Sequence, residues 1–293
     1  MQVALHTGAH YTDDERLLRS LGSNRAMLTK RGVSIPKPSS YRRQIRDMLN
    51  DARAAPLKHD SRETIMKGLK GVDAVDPDRI ILSNSNFFGV PRLAVSDNLY
   101  YPSAEARLQD LSSLFHTDEI EVFIAIRNPA TYLPALLNAC PEDTIDQVTG
   151  SSAPTALRWS ELVMRLRQSL PNVSLTVWCN EDTPLIWEQL IRELSGLEAL
   201  LPVEGGNDLL GEIMSPQGLT RYAEYLETHP GMTEIQKRRV TSAFLDKFAL
   251  DEEVEEELDL PGWTEEYVDA LSEIYDEDVY EISRIPGVSL ITP

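Results

Sequence analysis

The 293 residues are 42% hydrophobic and 26% charged, enough chain and apolar mass to bury a core without disulfide or metal staples. A net charge of −19 excludes a general nucleic-acid binder, whose affinity for phosphate rests on Lys and Arg. Cys140 and Cys179 stand alone, with no CxxC pair and no His at ligand spacing, so the sequence predicts neither a disulfide framework nor a metal site.

The opening MQVALHTG has no basic leader ahead of its apolar run, and no apolar stretch approaches ~18 residues. The expectation is a cytoplasmic protein without a membrane span. Charge is unevenly spread: residues 1–70 hold 14 Lys+Arg against 7 Asp+Glu, whereas 251–293 hold 1 against 15. A basic front in an acidic chain attracts a small polyanion at short range, so the expected partner is a small anionic ligand or a nucleotide; a solvated helix face is the alternative.

VALHTG (3–8), RIILS (79–83), EIEVFIAI (119–126) and VSLTVWC (173–179) read as strands, with helical patterns at 12–31, 40–55, 61–70, 103–115, 130–140, 155–169 and 183–195. This alternation predicts an α/β fold of three layers, a central and mainly parallel sheet covered by helices on both faces. No strand signal follows residue 200, and 216–283 reads as three or four helices punctuated by HPGM (229–232) and LPGW (260–263). The expected division is an α/β domain over 1–205 and a helical, acidic C-terminal subdomain over 206–293 packed on it. The acidic run DEEVEEELD (251–259) lacks the glycine of a calcium loop and reads as a solvated helix face.

In open parallel sheets ligands sit at the carboxyl ends of the strands, and the turn from the first strand into the first helix is a common phosphate cradle. That turn is His6-Thr7-Gly8-Ala9-His10-Tyr11-Thr12. Gly8 permits a tight turn, and the first amides of a helix supply donors. Thr12 and Glu15 have the T-x-x-E spacing of a capping box, with Asp13 and Asp14 in the first turn. Three carboxylates beside a cradle repel phosphate or sulfate.

The strand followed by His6-x-Gly8-x-His10, and the Leu21-Gly22-Ser23-Asn24-Arg25 element in the next helix, resemble bacterial members of the P-loop sulfotransferase family. The resemblance implies a P-loop-type fold and 3′-phosphoadenosine 5′-phosphosulfate (PAPS) as cofactor, with Gly8, Ala9, His10, Tyr11, Thr12 and Asp13 around its 5′ group. It further implies that Arg127, ending the strand EVFIAIRNP, meets the 3′-phosphate. Tyr11 to Glu15 stand where the family has Lys-Thr-Gly-Thr-Thr, and Ala135 stands at the position of its phosphate-binding serine.

Sulfuryl transfer needs a base near the acceptor oxygen, and His10 in the cradle is the expected catalytic residue, with a brace for the turn as the alternative. Arg42, Arg43 and Arg46 on a helix, with Ser85 and Asn86 after the second strand, are the expected substrate contacts. Glu181-Asp182-Thr183-Pro184 reads as the cap of a late helix. Three readings remain open: a PAPS-dependent sulfotransferase, a catalytically inactive relative binding a nucleotide, a sulfated ligand or a protein, and a nucleotide-dependent kinase. The last lacks G-x-x-x-x-G-K-[ST].

Overall fold

The structure, a computed structural model, describes residues 1–70, 76–140, 144–199, 201–254 and 260–293. Its strands are β1 (Gln2–His6), β2 (Val33–Ser34), β3 (Arg79–Ser83), β4 (Val95–Ser96), β5 (Leu99–Tyr100), β6 (Glu119–Ile126), β7 (Ser174–Cys179) and β8 (Val288–Ile291). Six of them form one sheet in the order β2-β3-β1-β6-β7-β8, every pairing parallel, and β4 and β5 form a separate hairpin. Parallel neighbours need crossovers, and right-handed crossovers place helices on both faces.

The helices before β6 are α1 (Arg16–Ser23), α2 (Arg25–Lys30), α3 (Arg42–Asp51), α4 (Ser61–Lys70) and α5 (Ala104–Leu114). Between β6 and β8 come α6 (Pro129–Asn138), α7 (Ile145–Val148), α8 (Trp159–Ser169), α9 (Thr183–Ser195), α10 (Asp208–Ile213), α11 (Pro216–Thr228), α12 (Glu234–Phe248), α13 (Asp251–Val254) and α14 (Glu265–Ser283). The expected helix over 12–31 is two helices. Asn24 separates them: buried, it donates from Nδ2 to the carbonyls of Ser20 (2.9 Å) and Glu204 (2.8 Å) and accepts the Glu204 amide (2.8 Å).

Side chains alternate across the strands, so β1 sends Val3 and Leu5 to one core and Ala4 to the other. The first core joins the sheet to helices α3 to α6, α8 and α14; the second joins it to α1, α2 and α9 to α11. At about 25 cal/mol per Å² such two-sided burial dominates the stability of a sheet of this kind.

One expectation is corrected here. Strand structure does not stop at residue 200, because Val288–Ile291 pairs in parallel with β7 and extends the sheet. Between 206 and 293 the chain therefore splits its packing: α10 and α11 cover the second core, while Tyr275 and Ile282 of α14 enter the first. Of the acidic run, residues 255–259 lie outside the described residues, and Asp251, Glu252 and Glu253 are exposed on α13. No described helix is long and apolar enough to cross a membrane.

Candidate functional site

At the carboxyl edge of the sheet the register sets His6, Ser83 and Phe123 side by side. From there the loop after β1 continues to pair with β6. The Thr7 amide donates to the Phe123 carbonyl (2.9 Å), the Ala9 amide to the Ala125 carbonyl (2.7 Å), and the Ala125 amide to the Gly8 carbonyl (2.6 Å). The His10 amide donates to the Tyr101 hydroxyl (3.0 Å). Amides that a phosphate cradle would aim outward are thus spent on the protein.

Tyr101 reaches the loop because of a two-residue hairpin turn. Asp97 and Asn98 both have positive φ, 55° and 59°, the geometry of a type I′ turn between β4 and β5, and such short polar residues tolerate it. The hairpin delivers Tyr100 onto Trp159, with ring centroids 3.8 Å apart and 7° between planes, and buries Tyr101 beside His10. His10 Nε2 meets Asn86 Oδ1 (3.2 Å) and Nδ1 meets the Tyr101 hydroxyl (2.7 Å), which also meets the Tyr132 hydroxyl (2.8 Å).

One proton arrangement satisfies every member of this group. Nε2–H donates to Asn86, Tyr101 donates to Nδ1, and the Tyr101 oxygen accepts from the His10 amide and the Tyr132 hydroxyl. Burial, the largest cause, lowers the pKa of His10, with the hydrogen bonds to Asn86 and the Gly89 backbone opposing it. His10 is therefore neutral with both ring nitrogens engaged, the geometry of a brace.

The capping box is also corrected. Thr12 turns its hydroxyl back to the Ala9 carbonyl (2.8 Å). Asp14 and Glu15 take positive φ, 45° and 67°, so α1 starts only at Arg16 and has no side-chain cap at Glu15. Nor do the three carboxylates face an open cradle. Glu15 pairs with Arg42 Nη1 (2.6 Å), Asp14 with Arg16 (3.3 Å), and Asp13 Oδ2 accepts the Leu17 amide (3.3 Å).

Arg127 lies at the carboxyl edge, 7% exposed. Its Nη1 donates to the Tyr11 carbonyl (2.5 Å) and its Nε to the Thr131 hydroxyl (3.0 Å), while Trp159 Nε1 donates to the Arg127 carbonyl (2.8 Å). It ties the loop to the start of α6. The Glu181-Asp182 turn likewise does not cap α9: Glu181 accepts the Asn128 amide (2.8 Å) and the Tyr275 hydroxyl (3.0 Å). Burial first, then Glu181, raises the pKa of Asp182 to about 6.

The residues expected to touch substrate behave differently. Arg42, Arg43, Arg46, Ser85 and Asn86 all line one cleft of about 800 Å³, between α3, the loop after β3 and the start of α5. Arg42 is its fixed point: Nε and Nη2 donate to the Ser83 carbonyl (2.8 and 2.7 Å), where Tyr41 also donates (2.8 Å). Arg43 and Arg46, both well exposed, have only Asp47 as an ion-pair partner among the described residues, a solvent-screened pairing worth little. Arg53 and Arg107 also line it, and Glu15 is the one carboxylate among the described residues of the lining.

Sequence reasoning missed both Arg53 and Arg107. Arg53 continues the 42–46 face seven residues on, a signal at helical spacing, but it lies in the turn after α3. Arg107 comes from α5, and only the fold brings it to Asn50, to which it donates (2.8 Å).

The sequence gives His6 no role of its own. It is 3% exposed, stacks on Trp178 and meets Ser83 Oγ through Nδ1 (3.0 Å), while its Nε2 has no hydrogen-bond partner among the described residues. Burial, the largest cause, lowers its pKa below 6.5. A lowered folded-state pKa means that the unfolded chain binds more protons, so this contribution to stability is complete above pH 6.5 and lost as pH falls below it. Urea midpoints at pH ~7.5 and ~5.5 are expected to drop on acidification by a larger amount in the parent than in His6→Gln, and equal drops would remove His6 from that role.

No protein-family model and no curated protein matches this sequence. Among solved structures, one described as a sulfotransferase from Alicyclobacillus acidocaldarius is similar over 82% of this chain and 97% of that chain, at a TM-score of 0.40 and 14% identity. At that distance the likeness transfers neither a residue nor an activity to this chain.

Proposed function

We propose that this α/β protein binds a small anionic molecule in the arginine-lined cleft over β3, and that the loop after β1 is not its anion site. The observation that carries the reading is the convergence of Arg42, Arg43, Arg46, Arg53 and Arg107 on one cleft, with Glu15 the single carboxylate among the described residues that line it. Low-dielectric walls focus such a field and raise the local concentration of anions. Ser85, Asn86 and Asn84 supply neutral donors at the carboxyl end of β3, the edge where parallel sheets hold ligands.

PAPS, the cofactor implied by the sequence resemblance, fits the β1 loop poorly. The Thr7, Ala9 and His10 amides are bonded within the protein, Tyr11 stands in place of a lysine, and Arg127 is turned onto Tyr11 and Thr131. That loop therefore supports no transfer step through PAPS. Between the enzyme and the binder, the binder is the reading favoured.

Calorimetric titration with phosphate, pyrophosphate and adenosine 3′,5′-bisphosphate tests it. The expected result is binding that weakens with added salt and weakens about tenfold, about 1.4 kcal/mol, in Arg43→Glu/Arg46→Glu. Both side chains are exposed, so the fold is expected to survive. No heat with any of these anions at millimolar concentration would contradict the proposal.

A further inference from the structure

The cleft lining combines guanidinium groups with exposed apolar side chains. Arg53 and Arg107 are close enough that Arg53 lowers the pKa of Arg107, a smaller cause than burial. Neither has an ion-pair partner among the described residues; Arg107 keeps the neutral Asn50 Oδ1 at 2.8 Å, and Asp110 acts on both only from beyond ion-pair distance. Two guanidinium groups lining one cleft repel, and a dianion taking both relieves this.

Part of the same lining is apolar. Val90 and Leu93 line the cleft and are 48% and 58% exposed, among the most exposed large apolar side chains of the chain. Gly89, at φ 154°, begins the loop that holds them, and Leu49 and Phe88 lie beneath. An inorganic anion leaves this wall in water, whereas an anion with a hydrocarbon body covers it.

Resting on the reading of the cleft as the binding site, we infer that its ligand is a phosphate monoester with an apolar body. The phosphoryl group lies between Arg53 and Arg107, and the body runs along Leu93 and Val90. A soluble ester is favoured over a phosphate-bearing lipid surface, because a cavity of about 800 Å³ is of small-molecule size. The net charge of −19 also opposes approach to an anionic bilayer.

Titrations at pH ~7.5, where the monoester is largely a dianion, with inorganic phosphate, butyl phosphate, hexyl phosphate and hexyl sulfate, together with sedimentation on vesicles containing phosphatidic acid, test this. Affinity is expected to rise about fourfold per added methylene between the butyl and hexyl esters. Hexyl phosphate is expected to bind about tenfold more tightly than the singly charged hexyl sulfate. Arg53→Gln and Arg107→Gln should each weaken hexyl phosphate about tenfold, and Leu93→Ser should lower the ratio of hexyl to butyl phosphate affinity.

Equal affinity for inorganic and hexyl phosphate would overturn the apolar body, and equal affinity for the phosphate and sulfate esters would overturn the dianion, with the cleft reading intact in both cases. Vesicle binding without binding of the soluble esters would overturn the soluble ligand. Absence of binding to every anion would sink the inference and the cleft reading together.

Discussion

Tyr101→Phe is expected to cost about 3 kcal/mol in stability, although it removes a single oxygen. That oxygen meets the His10 amide at 3.0 Å, His10 Nδ1 at 2.7 Å and the Tyr132 hydroxyl at 2.8 Å, all buried. Phenylalanine fills the same space and leaves three polar groups where water does not reach, at about 1–3 kcal/mol for a stranded group, partly recovered by relaxation. A urea titration measures the loss. A drop below about 1 kcal/mol would mean that the loop is held by its pairing with β6 alone.

Asp278→Ala is expected to cost about 2–3 kcal/mol. Asp278 stands on α14 yet accepts the Trp159 amide (2.5 Å) and the Ser160 amide (3.2 Å) at the start of α8, a helix whose own N-cap residue, Arg158, makes no side-chain cap. The carboxylate sits at the positive end of the helix dipole, though burial raises its pKa against those hydrogen bonds. Alanine leaves both amides without an acceptor and loosens α14 from α8. The conservative variant Asp278→Asn keeps one acceptor oxygen and should recover about half or more of the loss. Thermal or urea unfolding of the two variants separates lost capping from lost packing.

How far the sequence foretold this depended on range. Long apolar runs announced their own burial, so Arg79–Ser83 and Glu119–Ile126 were found at their predicted bounds and the α/β class followed. β2 has only two residues, and β8 follows a long helical stretch with a half-exposed pattern; neither presents a periodicity to read. Both are held by neighbours distant in sequence.

The loop after β1 misled for a different reason. Thr12 and Glu15 carry the spacing of a capping box, but the positive φ of Asp14 and Glu15 ends that register before a helix forms. The groups that decide the loop's geometry, Tyr101 and the edge of β6, arrive from distant parts of the chain. Local capping rules carry no information about them. That Arg42, Arg43, Arg46, Ser85 and Asn86 line one cleft follows from local placement, because the arginines share one helix and Ser85 and Asn86 share one loop.

Two regions thus share the same edge of the sheet: a closed loop braced by His10, Tyr101 and Arg127, and an open basic cleft. Hydrogen–deuterium exchange with and without saturating pyrophosphate distinguishes them directly, since amides slow where a ligand holds them. Added protection is predicted in residues 38–53 and 84–93, with residues 7–13 unchanged. Protection confined to 7–13 and 127–131 would contradict this division and return the anion site to the loop after the first strand.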